Sequence, residues 1–253
     1  MSKLKHPKVY SKNQIKKIGD AGKIVKEVLQ LMSENCKVGI STIELDNIAN
    51  KFIKKLGGKP ACLGYKGFPN SSCISIDSVI LHGIPNETII ENGMLVGIDC
   101  PVLYKGYYAD AAINVEVGEV DEERKKLNNS VKSCLDGLIK LIKPNIEVQE
   151  ISRFQEDYAK REGFKVIRNF RSHGVGKTLH EPPGIPHFLD KNNPYNNYKL
   201  KVGNIIAIEP TFLTNDELIL LSDGWSYKTI DDSVGTSWEH TIVITEKGNR
   251  ILT

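Results

Sequence analysis

Two distant stretches of this chain read as variations on one pattern, and that repetition constrains the fold more than any other feature. "VGISTIEL" (38–45) resembles "PNIEVQEI" (144–151), 106 residues further on, and "GMLVGIDCPV" (93–102) resembles "GNIIAIEPTF" (203–212), 110 residues further on. A nearly constant offset points to a duplicated unit, although short matches also arise by chance. The unit reads as two helices followed by antiparallel strands. "SKNQIKKIGDAGKIVKEVLQLM" places Ile15, Ile18, Val25, Val28, Leu29 and Met32 on one helical face, with Ser11 and Gln14 as a capping box. "STIELDNIANKFIKKLGG" repeats the arrangement: Ser41 and Glu44 cap, Leu45, Ile48, Phe52 and Leu56 form the stripe, and Gly57-Gly58 stops it. A second helical pair runs from Asp121 to about Gly163. The β-branched runs "SCISI", "MLVGID", "YYADAAINVEV", "NIIAIEP" and "EHTIVIT" read as strands. No linker separates the halves. We expect one domain over 1–253, with halves at about 11–120 and 121–253 and an extension at 1–10.

Acids occupy places where apolar residues belong. A hairpin with a four-residue loop, Leu103 to Gly106, would set Asp99 directly opposite Asp110, with Cβ atoms about 5 Å apart. Two facing carboxylates on a buried sheet repel and desolvate badly, so they need a shared proton, a basic partner or a cation. An exposed pair on a wet edge is the plainer alternative. Glu209 ends "NIIAIE", and Glu239 opens "EHTIVIT", sharing a face with Thr241 and Val243. Either alone reads as a solvated strand end. Asp99 and Glu209 fall at equivalent places in the repeat, and four acids at matching places exceed what one proton or one lysine neutralises. Divalent cations solve the problem, and a water shared between two of them ionises near neutral pH. His173, flanked by Ser172, Gly174 and Gly176, offers an imidazole.

"RSHGVGKTLHE" (171–181) supports a competing reading, because "GVGKT" looks like the end of a phosphate-binding loop. The opening glycine of that loop would fall at 171, which is Arg171. A formal charge of +3 gives no argument for nucleic acid. Five cysteines without a CxxC pair suit a reducing cytoplasm, and no apolar run approaches the ~18 residues that cross a membrane.

Taken together, "HGIP" with His82, "GID" with Asp99, "GYYAD" with Asp110, "HGVG" with His173, "LHE" with His180, "IEP" with Glu209 and "WEHT" with Glu239 resemble methionine aminopeptidases of the short bacterial type, in the right order from about residue 11 onward. The resemblance implies an α+β, pita-bread fold of two pseudo-symmetric α/β halves around a dinuclear metal site. It implies that Asp99, Asp110 and Glu239 hold one ion and that Asp110, His173, Glu209 and Glu239 hold the other. The ions would be Co, Mn, Fe or Zn, and the resemblance allows a monovalent cation besides. Glu209 would carry the proton, His180 would stabilise the oxyanion, and His82 would bind the substrate backbone. Without the resemblance, His82 and His180 are ordinary loop histidines. The methionine pocket would carry over to Cys62, Tyr65, Phe68, Cys73, His82, Leu179, His180 and Trp225. Cysteine and aromatic walls suit a thioether.

Some positions depart from the family pattern: Asp77 stands where Asn is usual, Pro101 where a small hydroxyl residue is common, Ala111 where Thr is common, Ser172 where Gly is common, and Leu179 where Phe also occurs. The expected activity is removal of the initiator methionine ahead of a small second residue. The expected partners are nascent polypeptide N-termini and the ribosome surface, with no nucleic-acid specificity, for a cytoplasmic monomer. Ser2 is itself small, so the chain's own Met1 is an expected substrate. The rivals are a proline-directed peptidase of the same fold, a binding module without catalysis, and a Cys73–His82 nucleophile pair.

Overall fold

The structure, a computed structural model, describes residues 5–253; Met1 and Ser2, the expected processing site, lie outside the described residues. Both capping boxes read from the sequence open helices. Ser11 and Gln14 start α1 (Lys12–Asn35), and Ser41 and Glu44 start α2 (Thr42–Lys55). Each box satisfies end amides that a helix cannot satisfy internally. The chain then lays down β1 (Lys59–Pro60), β2 (Cys73–Ile76), β3 (Val79–Leu81), β4 (Leu95–Asp99), β5 (Val102–Tyr104), β6 (Tyr107–Ala109) and β7 (Ala112–Glu116). The second half repeats the sequence of events. Its helices are α3 (Glu122–Leu141) and α4 (Val148–Glu162). Its strands are β8 (Lys165–Val166), β9 (Arg171–Gly174), β10 (Glu181–Pro186), β11 (Ile205–Ile208), β12 (Thr211–Leu213), β13 (Leu218–Leu220), β14 (Tyr227–Thr229), β15 (Gly235–Ser237), β16 (His240–Thr245) and β17 (Gly248–Ile251).

The duplication is visible in the backbone pairing. Ser41 bridges to Ile89, and Glu147 bridges to Lys199. Lys59 of β1 faces Leu103 of β5, and Lys165 of β8 faces Leu213 of β12. Each corresponding pair of contacts is displaced by the same 106 and 110 residues seen in the sequence. Glu147 with Glu150 even forms a capping box at the place of Ser41 with Glu44. Antiparallel pairing builds a β2-β4-β7 sheet in the first half and a β10-β9-β11-β16-β17 sheet in the second. Residues from both sheets share one core, in which Ile205, Ala207 and Val243 pack with the apolar face of α1. Polar contacts also join the halves. Asn114 Nδ2 donates to the Ser237 carbonyl (2.8 Å), and Glu239 N–H donates to the Ala112 carbonyl (3.0 Å).

The hairpin carrying the first two acids differs from the sequence expectation. Lys105 and Gly106, both at positive φ (47° and 77°), make a two-residue turn rather than a four-residue loop. Such a turn matches the twist of paired strands, and it shifts the register. Asp99 therefore faces Ala112, and Asp110 sits in a break between β6 and β7, where one continuous strand was expected. The matching of the acids is also incomplete. Ile208 faces His240, so continuing that register sets Glu209 opposite Glu239. The internal counterpart of Glu239 is thus Ala112, and only Asp99 and Glu209 are true equivalents.

One buried acid outside the cluster sets the approach to it. Asp46 on α2 accepts hydrogen bonds from Ser71 N–H (3.1 Å), Ser72 N–H (2.8 Å) and Ser72 Oγ (2.7 Å), fixing the loop that leads into Cys73. Removing it orphans buried amides, which costs about 1–3 kcal/mol per group. Asp46→Ala should therefore lose roughly 2–4 kcal/mol in urea unfolding. A loss below about 0.5 kcal/mol would show that the loop holds its shape without Asp46.

Candidate active site

Strand ends and one strand break deliver the acids to a single place. Asp99 closes β4, Glu209 follows β11, Glu239 precedes β16, and Asp110 lies in the β6–β7 break. His173 on β9 faces Ala207 of β11, which in turn faces Thr241 of β16, so imidazole and acids converge across three adjacent strands. Ligand atoms of Asp110, His173 and Glu239 lie within 4.8 Å of one another. His173 Nε2 is 3.6 Å from Glu209 Oε1, and the Asp99 carboxyl lies against that of Asp110. The sequence expectation of metal-ligating side chains is thereby gathered in one cavity of about 300 Å³, which all five line.

The electrostatics of this cluster are those of a site built for a cation. Burial pushes Asp99 up to about 6, opposed by its contact with Asp110. Burial, then the charge of Asp99, holds Asp110 well above the ordinary carboxylate range, and the same two causes act on Glu209. Glu239 is raised by burial, then by Asp110 and Glu209. Burial drives His173 down to about 4, opposed by the contact with Gly174. His173 Nδ1 lies 2.9 Å from the Gly174 carbonyl, which can only accept, so Nδ1 carries the proton and Nε2 keeps its lone pair for the cluster. Asp99 Oδ1, Asp110 Oδ1, Glu209 Oε1 and Glu239 Oε1 are buried and accept no hydrogen bond. Four buried carboxylate oxygens without hydrogen bonds around one free imidazole nitrogen fit a divalent metal.

The expected pocket residues line the same cavity: Cys62, Tyr65, Phe68, Cys73, His82, Leu179, His180 and Trp225. Cys62, Phe68 and Cys73 form a small apolar cluster with Ile84 and Trp225, separate from the main cores. Trp225 stands edge-on to Phe68, with centroids 5.2 Å apart, and is presented by Asp223, which accepts from the N–H groups of Trp225 and Ser226. Tyr65 Oη is 2.8 Å from His180 Nδ1. With the phenol donating, His180 presents Nε2–H to the cavity, and burial keeps the ring neutral by driving it down to about 3. His82 is held at a left-handed φ of 57° and packs edge-on against Phe170 at 5.2 Å. Phe170 lines the cavity and went unnoticed in the sequence, since nothing in "RNFRS" marks it.

Two alternative chemistries are disfavoured by the surroundings of their residues. The Cys73 sulfur lies 4.0 Å from that of Cys62. The Cys62 contact lowers its pKa, but burial and the charges of Asp99 and Asp110 raise it further, so it is no ready thiolate. The "GVGKT" amides are already committed: Gly176 N–H to the Thr178 carbonyl, Lys177 N–H to Tyr10 Oη and Thr178 N–H to Glu181 Oε1. None is free to cradle phosphate. Gly176 is small for another reason, because a Cβ there would sit 2.4 Å from Tyr10 Oη. Tyr10 and Lys8 both donate to the buried Glu181 at 2.8 Å, and this triad anchors the His180 loop.

The departures have local accounts. Ser172 Oγ accepts the Glu209 N–H (3.0 Å), a contact that glycine cannot make. Asp77 Oδ1 accepts from Arg124 Nε (2.8 Å) and Leu95 N–H (3.0 Å), so its extra charge is spent on a helix of the other half. Pro101 and Leu179 wall the cavity, and Ala111 is fully buried.

A profile of metallopeptidase family M24 matches residues 16–246. The chain belongs to metallopeptidase family M24. Among M24 relatives, the methionine aminopeptidase of Aquifex aeolicus is 40% identical over 97% of this chain and 98% of its own. Methionine aminopeptidase 1 of Bacillus subtilis is 37% identical over 92% and 94%. The crystal structure of a methionine aminopeptidase from Thermotoga maritima superposes with a TM-score of 0.94 at 34% identity, covering 98% of this chain and 99% of that one. A prolidase from Pyrococcus furiosus shares the fold at a TM-score of 0.80 and 24% identity, and this chain spans 65% of its length. The pita-bread architecture expected from the sequence is therefore the fold of this M24 chain.

The raised carboxyls set a pH dependence for metal-free protein. A carboxyl whose folded pKa exceeds its unfolded value destabilises the fold as pH rises toward the folded pKa. Between about pH 4 and 6.5 this is opposed by His173 and His180, whose lowered values act in the other direction. Above 6.5 the unfolded histidines are neutral, so the carboxyls held well above their ordinary range act without that opposition. The Tm of chelated protein should therefore fall from pH 6.5 to 8, and saturating Mn²⁺ should abolish the fall. A flat or rising Tm in scanning calorimetry of chelated protein would contradict the raised carboxyls.

Proposed function

We propose that this M24 chain is a methionyl aminopeptidase that removes the initiator methionine from new polypeptides when the second residue is small. One observation carries the reading: a single cavity holds both the acid–imidazole cluster and a side-chain pocket walled by Cys62, Phe68, Cys73 and Trp225. Polarizable sulfur and aromatic faces suit a thioether better than a proline ring. The near full-length likeness to methionine aminopeptidases supports the same reading over a proline-directed peptidase or a silent binding module.

In this reading Asp99, Asp110 and Glu239 hold one divalent ion, and Asp110, His173, Glu209 and Glu239 hold a second, with Asp110 and Glu239 shared. When bound, such ions polarise the scissile carbonyl and lower the pKa of water. Glu209, 3.6 Å from His173 Nε2 and raised by burial, is placed to take a proton from the attacking water and return it to the leaving amine. Neutral His180, oriented by Tyr65, donates Nε2–H to the developing oxyanion. His82, fixed by Phe170 and Trp225, holds the substrate backbone. The second residue of the substrate then presses against the acid cluster, which disfavours bulk. Co, Mn, Fe and Zn all suit this oxygen-rich donor set. All five cysteines are free thiols, which suits a reducing compartment such as the cytoplasm.

Product analysis on Met-Ser-Lys, Met-Leu-Lys and Ala-Pro peptides, before and after chelation and metal add-back, tests the assignment. Met-Ser-Lys should lose Met fastest, and only with divalent metal. Equal rates for the first two would remove the small-second-residue preference, and release of Ala from Ala-Pro alone would favour the proline-directed rival. Asp110→Ala and Glu239→Ala should each abolish turnover. His180→Ala should lower kcat by about 10²-fold with metal content near wild type. Parallel loss of metal would make His180 a ligand instead.

A further inference from the structure

Asp110 lies in the break between β6, which pairs with β5, and β7, which pairs with β4, so its backbone N–H and C=O have no strand partner. A buried amide left in that state is costly. Here one side chain from the other half of the molecule satisfies both groups. Thr241 Oγ1 accepts the Asp110 N–H (2.9 Å) and donates to the Asp110 carbonyl (2.7 Å). One hydroxyl thus acts as donor and acceptor at once. Thr241 is completely buried and stands two residues beyond Glu239, on the same face of the strand. The Glu239 N–H meanwhile donates to the Ala112 carbonyl, two residues beyond Asp110. These contacts form a closed frame with the two carboxylates at its corners.

The frame is braced from behind. Thr253 Oγ1 accepts the Thr241 N–H (3.2 Å) and lies 2.9 Å from His240 Nδ1, while Leu252 N–H donates to the Thr241 carbonyl (2.8 Å). Leu252 is pressed against α1 so closely that a Cβ at Gly22 would lie 2.1 Å from its carbonyl oxygen.

We propose that Thr241, braced by Thr253, is a positioning residue for the metal centre: its hydroxyl fixes the spacing between Asp110 and Glu239 across the two halves. The proposal rests on the reading of those two acids as shared metal ligands. It makes the spacing of the site depend on one hydroxyl that touches neither metal nor substrate.

The test uses Thr241→Val, which keeps the shape and removes the hydroxyl, with Thr241→Ser as the conservative control. Mn²⁺ titration of metal-free protein by calorimetry should show affinity weakened about 10- to 100-fold in Thr241→Val, the usual range for outer partners of metal ligands, and near-wild-type affinity in Thr241→Ser. The visible absorption of bound Co²⁺ should change in Thr241→Val, and kcat for Met-Ala-Ser should fall with KM within about twofold. Wild-type Mn²⁺ affinity in folded Thr241→Val, checked by near-ultraviolet circular dichroism, would overturn the proposal, as would equal impairment of Thr241→Ser. If Thr241→Val does not fold, Thr253→Val decides: weakened Mn²⁺ binding supports the brace, and unchanged binding rejects it. Asp110→Ala separates the two levels. Full Mn²⁺ affinity in that variant would defeat the ligand reading itself, whereas its loss beside an unaffected Thr241→Val would defeat only the positioning role.

Discussion

The fold is organised around an electrostatic conflict. Four carboxyls, each with an oxygen that finds no hydrogen bond, are held together in a buried place. Their mutual repulsion and desolvation oppose folding in the absence of a cation. Extensive scaffolding offsets this. Two apolar cores support the halves, and hydrogen bonds between them, from Glu239 N–H to the Ala112 carbonyl and between Thr241 Oγ1 and the Asp110 backbone, close over the cluster. Stability lies in the scaffold and strain in the centre, an arrangement usual for sites that must bind ions tightly.

The two halves share a plan and divide the chemistry unequally. Asp99 and Glu209 sit at equivalent strand ends, whereas Glu239 corresponds to Ala112, and the imidazole comes from the second half alone. The first half instead contributes most of the thioether-friendly wall, through Cys62, Phe68 and Cys73. Symmetry supplied a cleft between two like units, and departures from symmetry made its two sides different.

Much of this was legible in the sequence because it is local. Ser11–Gln14 and Ser41–Glu44 announce helix starts within four residues, and the repeat survives in paired motifs at fixed offsets. The strands holding the acids were visible as apolar runs that end on a charge. The hairpin register was misread because Lys105 adopts a positive φ that favours glycine or asparagine, so the sequence carries no strong turn signal. The bonds from Thr241 to Asp110, Trp238 to Asn128 and Tyr10 to Glu181 span 131, 110 and 171 residues. No periodicity or spacing rule reaches so far. Their residue types are ordinary, and only the folded arrangement gives them meaning.

The triad of Lys8, Tyr10 and Glu181 bears on the order of events as the chain emerges during synthesis. The carboxylate that Lys8 and Tyr10 hold is made 171 positions after Tyr10. Until then Tyr10 can pack its ring but cannot complete its hydrogen bonds, and the loop bearing His180 has nothing to close against. A nascent molecule thus reaches a finished cavity only after the segment around Tyr10 has captured the one around Glu181.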